Sequence, residues 1–217
     1  MDAGTKEVAG EEMSAEDSRA TWRIFCAIEL PGPVRSQLLK HIARLREAMP
    51  EARASWSREL NLHLTLKFVG DTPQTSVPNF SNAAARAVEA CAPFIIRLEQ
   101  TGVFPKHAKP RVLWVGINDP EGNLGALQAR LEDESAKAGF PKEARPFHPH
   151  LTLARLRQPK HAHALAAAHQ QMQFGPVEIT VSELLVIRSE LSNAGSNYTT
   201  ISQHPLDVEE RDLFGVR

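Results

Sequence analysis

Two periods of apolar recurrence alternate along the chain, one of a strand and one of a helix. Arg23-Ile24-Phe25-Cys26-Ala27-Ile28-Glu29-Leu30 is a nearly continuous apolar run of strand length, closed by Pro31-Gly32-Pro33. Pro33 suits a first helical turn. From there Val34, Leu38, Ile42, Leu45 and Met49 recur at spacings of four, four, three and four, predicting an amphipathic helix that stops near Pro50. A short strand over 54–57 precedes a stronger one over 63–69, ended by Gly70-Asp71 and Pro73. Val77, Phe80, Ala84 and Val88 predict a second helix over 75–90, with strands to follow at 94–98 and 111–117. Leu124, Leu127 and Leu131 mark a third helix, stopped by Gly139. After an irregular stretch over 141–149 come a strand at 150–156, a fourth helix over 160–172 and strands at 177–181, 184–191 and 198–204. The last two are joined by the turn signal Ser192-Asn193-Ala194-Gly195.

Several strand-to-strand connections are too short for a parallel crossover, so the sheets are predicted to be largely antiparallel and the fold class α+β. The order of strand, turn and helix appears after residue 63 and again after residue 150. That repetition predicts a bilobal molecule, two pseudo-symmetric lobes with flanking helices around a central cleft. The repeated strands open on the same tetrapeptide, His63-Leu64-Thr65-Leu66 and His150-Leu151-Thr152-Leu153, 87 residues apart. In a strand, His63 and Thr65 share one face and Leu64 and Leu66 the other, and the second copy repeats this. The leucines suit a core, which leaves an imidazole and a hydroxyl presented together twice.

Composition narrows the setting. The chain has 217 residues, 42 % of them hydrophobic, and no apolar run near the ~20 residues that cross a bilayer. Residues 1–21 read as a disordered leader without the apolar core of a secretory signal, 22–206 as the folded domain and 207–217 as a charged tail. Cys26 and Cys91 are far apart and sit in apolar segments, which predicts buried thiols in a reducing compartment. A cytoplasmic monomer is the expectation. With a net charge of −1, long-range attraction of nucleic acid is excluded and an anionic partner must be captured locally. Between Glu143 and Glu178 there is no acid, while Arg145, Arg155, Arg157 and Lys160 fall in that window.

Of the other histidines, His41 is placed on the exposed side of the first helix and His161, His163 and His169 on a polar face of the fourth. His148 has the parity of His150, but Pro149 between them breaks strand geometry. Two imidazoles allow two chemistries. A metal centre wants a third ligand, and neither tetrapeptide has a carboxylate nearby to supply one. Acid/base catalysis needs none: near neutral pH one ring can hold a proton that the other lacks. Thr65 and Thr152 then donate to oxygens on which charge accumulates, an arrangement better suited to a phosphodiester than to an ester. No Gly-rich phosphate loop is present, so no nucleotide cofactor is expected. A metal-dependent phosphohydrolase and a non-catalytic module that binds RNA ends remain as alternatives.

The two His-x-Thr-x motifs, with Arg23–Pro31, Glu59–Gly70 and Arg145–Arg155 around them and Phe104-Pro105, Arg111–Trp114 and Arg188–Ser192 elsewhere, resemble the two-histidine phosphoesterases. More narrowly they are similar to the RNA 2′,3′-cyclic phosphodiesterases, long called 2′-5′ RNA ligases. The resemblance runs from about Trp22 to Leu206. It implies hydrolysis of RNA 2′,3′-cyclic phosphate ends to 2′-phosphates without metal, His63 protonating the leaving 3′ oxygen and His150 activating water. Formation of a 2′-5′ RNA linkage is the accompanying reaction. Arg155 matches a basic residue that follows the second motif, but its parity is opposite to that of His150, so a phosphate contact requires the strand to bend. Phe68, Trp114 and Phe147 are the aromatic candidates for stacking on a base.

Overall fold

The structure is a computed structural model that describes residues 20–206 except 107, 158, 159, 193 and 194. The tail, almost all of the leader and the middle of the Ser192–Gly195 turn lie outside the described residues. Thr21 already stands in the first strand. In order, the elements are β1 (Thr21–Glu29), α1 (Gly32–Ala48), β2 (Ala54–Trp56), β3 (His63–Pro73), α2 (Val77–Val88), β4 (Phe94–Phe104), β5 (Val112–Asn118), α3 (Asn123–Lys137), β6 (His150–Leu156), α4 (Ala162–Gln171), β7 (Val177–Val181), β8 (Glu183–Ser192) and β9 (Gly195–Pro205). Among the described residues no helix is long and apolar enough to cross a membrane.

The strands form two sheets, ordered β3-β1-β8-β9 and β2-β6-β5-β4-β7, with every recorded pairing antiparallel. The α+β class is as expected, and so is the duplication. In each lobe the motif strand (β3 or β6) lies beside the strand that feeds the preceding helix (β1 or β5), followed by two more strands. The exception is β2, which belongs to the first half by sequence yet extends the second sheet at β6, pairing Ser55 with Arg155.

One continuous core joins the lobes, built from Ile24, Cys26 and Ile28 of the first sheet, Ile96, Leu113 and Leu151 of the second, and the inner faces of the helices. On the opposite face of the first sheet Phe25, Ala27, Leu185 and Ile187 make a smaller apolar cluster with Tyr198 packed against it. Cys26 is buried, but Cys91 is only half-buried in the turn after α2, a correction to the reading of two buried thiols. β4 runs six residues beyond its expected end at Leu98, because a bulge at Gln100 absorbs the polar Glu99-Gln100-Thr101 segment and lets pairing with β5 resume.

Two further corrections concern histidines. His41 is 3 % exposed and His169 fully buried, where polar faces were expected. His41 follows Leu38 by three and precedes Leu45 by four, and His169 follows Leu165 by four, so both lie on the apolar stripes of their helices. The rings satisfy each other: His169 Nε2 is 2.9 Å from the Trp114 carbonyl, which makes it the donor, and its Nδ1 accepts from His41 Nε2 at 3.2 Å. Burial holds His41 at about 4, and it lowers His169 too. The unfolded chain therefore takes up protons below pH ~6.5 that the fold refuses, so stability is full above that value and falls as pH drops toward 4. At pH 5 His41 alone removes about 2 kcal/mol, expected to lower the melting temperature by roughly 4–8 °C relative to pH 7.5. Scanning calorimetry of wild type and His41→Gln checks this; equal pH slopes in the two would refute it.

Candidate active site

The two motif strands share one burial pattern. His63, Thr65, His150 and Thr152 are half-buried, and Leu64, Leu66, Leu151 and Leu153 are buried in the core, as the alternation requires. They also share an irregularity. Cys26 pairs with Lys67 but Ala27 pairs with Thr65, leaving Leu66 as an extra residue. Leu113 pairs with Ala154 but Trp114 pairs with Thr152, leaving Leu153 extra at the same motif position. A bulge inverts the parity of the residues after it. Lys67 and Ala154 accordingly turn inward and are buried, while Phe68 and Arg155 are exposed. The Phe25 ring stacks on both His63 (centroids 4.8 Å apart) and Phe68 (5.5 Å), which fixes those two on one face. By the same inversion Arg155 shares the face of His150, and the opposite parity read from the sequence does not hold.

Each imidazole is caged by aromatic rings of its own lobe. His63 lies flat against Phe25 and edge-on to Tyr198 at 5.2 Å. It lines a cavity of about 540 Å³ with Glu29, Arg35, Arg58, Asn61 and Tyr198. Burial drives His63 down to about 4, against the pull of the Asn61 carbonyl two residues back. Its Nδ1 is buried and falls short of a full hydrogen bond to any acceptor. His150 meets Phe104 edge-on at 5.0 Å and Trp114 at 6.5 Å, in a cavity of about 420 Å³ that also includes Gln100, Asn118 and His148. The Trp114 indole takes that position because residue 102 is glycine; a Cβ there would come within 2.0 Å of the ring.

His150 Nδ1 is 2.7 Å from the His148 carbonyl oxygen, an acceptor, so Nδ1 carries the proton and Nε2 is left with a lone pair. Burial lowers His150 below the ordinary histidine value; the His148 carbonyl opposes this, and the charges of Arg155 and His148 add to it. Both rings are therefore neutral at pH 7. His148 serves the site through its backbone, a role that side-chain parity could not reveal. Of the proposed stacking aromatics, Phe68 and Trp114 face the site, whereas Phe147 packs against the core. Phe25, Phe104 and Tyr198 complete the site without a sequence signal, because they reach the histidines from other strands and Phe104 lies beyond a bulge.

Each ring lines its own cavity. Besides the shared core, β2 ties the first half of the chain to the second motif strand. Ser57 N–H donates to the Leu153 carbonyl at 2.8 Å and Ser57 Oγ to the Thr152 carbonyl at 2.7 Å, and the chain reaches His63 six residues later through a turn of 3₁₀ helix at Glu59–Asn61. Among the described residues no three His, Cys, Asp or Glu side chains gather as metal ligands. The arrangement offers two neutral imidazoles, two hydroxyls and a guanidinium on the motif strands.

Residues 34–193 match the model of a family described as the 2′-5′ RNA ligase superfamily. The chain is 34 % identical over 180 residues to the RNA 2′,3′-cyclic phosphodiesterase of Methanothermobacter thermautotrophicus, covering 82 % of this chain and 95 % of that protein. It is 32 % identical over 196 residues to the Thermus thermophilus protein of the same name, covering 86 % and 91 %. Among solved structures, TT0787 of Thermus thermophilus superposes with a TM-score of 0.73 at 32 % identity, covering 86 % of this chain and 99 % of that one. E. coli LigT complexed with 3′-AMP gives 0.69 at 26 % identity, covering 87 % and 100 %.

Proposed function

This chain belongs to the 2′-5′ RNA ligase superfamily, and on that premise we propose that it hydrolyses RNA 2′,3′-cyclic phosphate ends to 2′-phosphomonoesters with two histidines and no metal ion. The observation that carries the reading is the twofold motif: one imidazole and one hydroxyl per lobe, on strands with the same bulge. The names of the relatives and the 3′-AMP bound by LigT support an RNA terminus as substrate.

His150 suits the base. Its Nδ1 proton is engaged by the His148 carbonyl, so Nε2 accepts the proton of a water that attacks phosphorus. The bond from phosphorus to the 3′ oxygen breaks, and His63 delivers a proton to that oxygen, leaving a 2′-phosphate and a 3′ hydroxyl. Thr65 and Thr152 donate to the non-bridging oxygens, and Arg155, further along the strand, adds its positive charge to the field at the site. An RNA 5′ hydroxyl in place of the water gives a 2′-5′ linkage. Because His63 sits at about 4 in the free protein, its acid form must be drawn up by the negative charge of the bound cyclic phosphate.

The test is turnover of a 2′,3′-cyclic mononucleotide in excess EDTA with identification of the product. The expected product is the 2′-phosphate, and kcat/KM, which reports the free protein, should rise up to about tenfold per pH unit from pH 8 down to 6. Activity lost to EDTA and restored by Zn²⁺ or Mn²⁺ would overturn the metal-free mechanism, and a 3′-phosphate product the choice of leaving oxygen. A kcat/KM that rises with pH over this range would overturn His63 as the acid.

A further inference from the structure

At the far end of the second sheet from His150, the strand register gathers cations from three separate parts of the sequence. Arg155 pairs with Ser55 and with Val112, and Val112 pairs with Phe104. Leu156 N–H donates to the Arg111 carbonyl at 2.8 Å, and Arg111 N–H to the Phe104 carbonyl at 2.7 Å. Arg53 directly precedes β2, Arg111 precedes β5, Arg157 follows β6 and Lys106 lies two residues past β4, so all four stand at one sheet end, with Arg155 between them and the histidine. Lys109 continues the surface, lining with Lys106 an open depression of about 390 Å³.

All six side chains are exposed, and among the described residues none has an ion-pair partner. Glu51 is the only carboxylate within two residues of any of them. Arg145, which the sequence grouped with Arg155 and Arg157, is held by Glu143 and does not belong to this surface. The opposite end of the sheet has the reverse sign. His150 pairs there with Gly116, Gly116 with Glu99, Asp119 and Glu121 follow β5, and Arg97 at this end is paired with Glu178.

Resting on the hydrolase reading, we infer that the single-stranded RNA upstream of the cyclic phosphate leaves the site over Arg155 and lays its phosphates on Arg53, Arg111 and Arg157. The acidic end repels that backbone and the unpaired cations attract it, so the strand has one direction to take. Arg155 lies about 15 Å along the strand from His150, and the other arginines lie beyond it, out of reach of a mononucleotide. An RNA chain of several nucleotides is therefore held more tightly than a free cyclic nucleotide, which reaches none of these three arginines.

The test compares an unstructured eight-nucleotide RNA ending in a 2′,3′-cyclic phosphate with a cyclic mononucleotide, on wild type and on Arg53→Ala/Arg111→Ala/Arg157→Ala. Three phosphate contacts should make the log–log salt dependence of KM for the octamer steeper by about 2 than for the mononucleotide. The triple variant should lose that excess slope and raise the octamer KM by ~10–100-fold at 0.1 M salt, with mononucleotide kcat/KM within twofold of wild type. Equal salt slopes for the two substrates in wild type, or an octamer KM unmoved in the variant, would overturn the inference. If wild type turns over neither substrate, the hydrolase reading fails instead. Fluorescence anisotropy with a labelled octamer then decides the path alone, equal affinities of wild type and variant overturning it.

Discussion

Alanine at His150 is expected to lower kcat for a 2′,3′-cyclic nucleotide by ~10²–10⁴-fold, and alanine at His63 by a similar factor. At His150 the loss follows from the tautomer. The His148 carbonyl holds the Nδ1 proton, so Nε2 is the atom that accepts a proton from water, and among the described residues no carboxylate is hydrogen-bonded to the ring to take its place. At His63 the loss is that of the proton for the leaving oxygen. The two changes should not add: once one end of the proton transfer is gone, removing the other costs little more, so the double variant should lie within about tenfold of the weaker single one. Stability separates the two positions. His63 lies flat on Phe25 and meets the edge of Tyr198, so its truncation uncovers an apolar cluster, whereas His150 touches Phe104 and Trp114 only by edges. Steady-state kinetics with melting curves on the three variants measures all of this. Either single variant keeping a tenth of wild-type kcat would remove that histidine from the chemistry.

Methionine at Lys67 is expected to destabilise the protein by about 3–5 kcal/mol. The Lys67 side chain is 2 % exposed, and its ammonium lies 2.5 Å from Glu132 Oε2 and 2.9 Å from the Pro141 carbonyl. Glu132 also accepts from the Glu143 backbone N–H at 3.1 Å and from Gln128 at 3.2 Å. Removing the lysine strands a buried carboxylate among groups arranged around an ion pair, which is far worse than removing both charges. The melting temperature should fall by roughly 6–20 °C. Adding Glu132→Leu should recover most of it, and urea titration of the single and double variants gives the cycle. A single variant within ~1 kcal/mol of wild type would show that the pair carries little. The segment this pair anchors, Pro141 to Glu143, leads directly to His150, so the first lobe's motif strand helps to place the second lobe's histidine.

That link was hidden in the sequence for an identifiable reason. In His63-Leu64-Thr65-Leu66-Lys67-Phe68, plain alternation puts Lys67 on the open face with the histidine and Phe68 in the core, and the bulge at Leu66 reverses both. A bulge depends on how the partner strand is seated, and a single strand's pattern does not record that. The second copy misleads in the same way at Arg155. By contrast His63, Thr65, His150 and Thr152 precede the bulges, and their shared faces could be read directly. The helices were legible because apolar spacing is a local property. Even so, the buried His41 and His169 were assigned by polarity when their three- and four-residue spacing from Leu38, Leu45 and Leu165 placed them inside. Sheet order rests on long-range pairing, and the crossing of β2 to the edge of β6 had no local sign.

That crossing has a mechanical consequence. The strands fall, in chain order, to the first sheet, the second, the first, then four to the second and two to the first, so the backbone passes between the sheets four times. One of those passages is a single residue, Ser182, between β7 and β8. A hinge that opened and closed the molecule around one flexible joint would have to bend all four connections together. With one continuous core behind them, these four connections tie the two halves at several points, so parting the imidazoles would cost buried apolar contact as well as backbone bending.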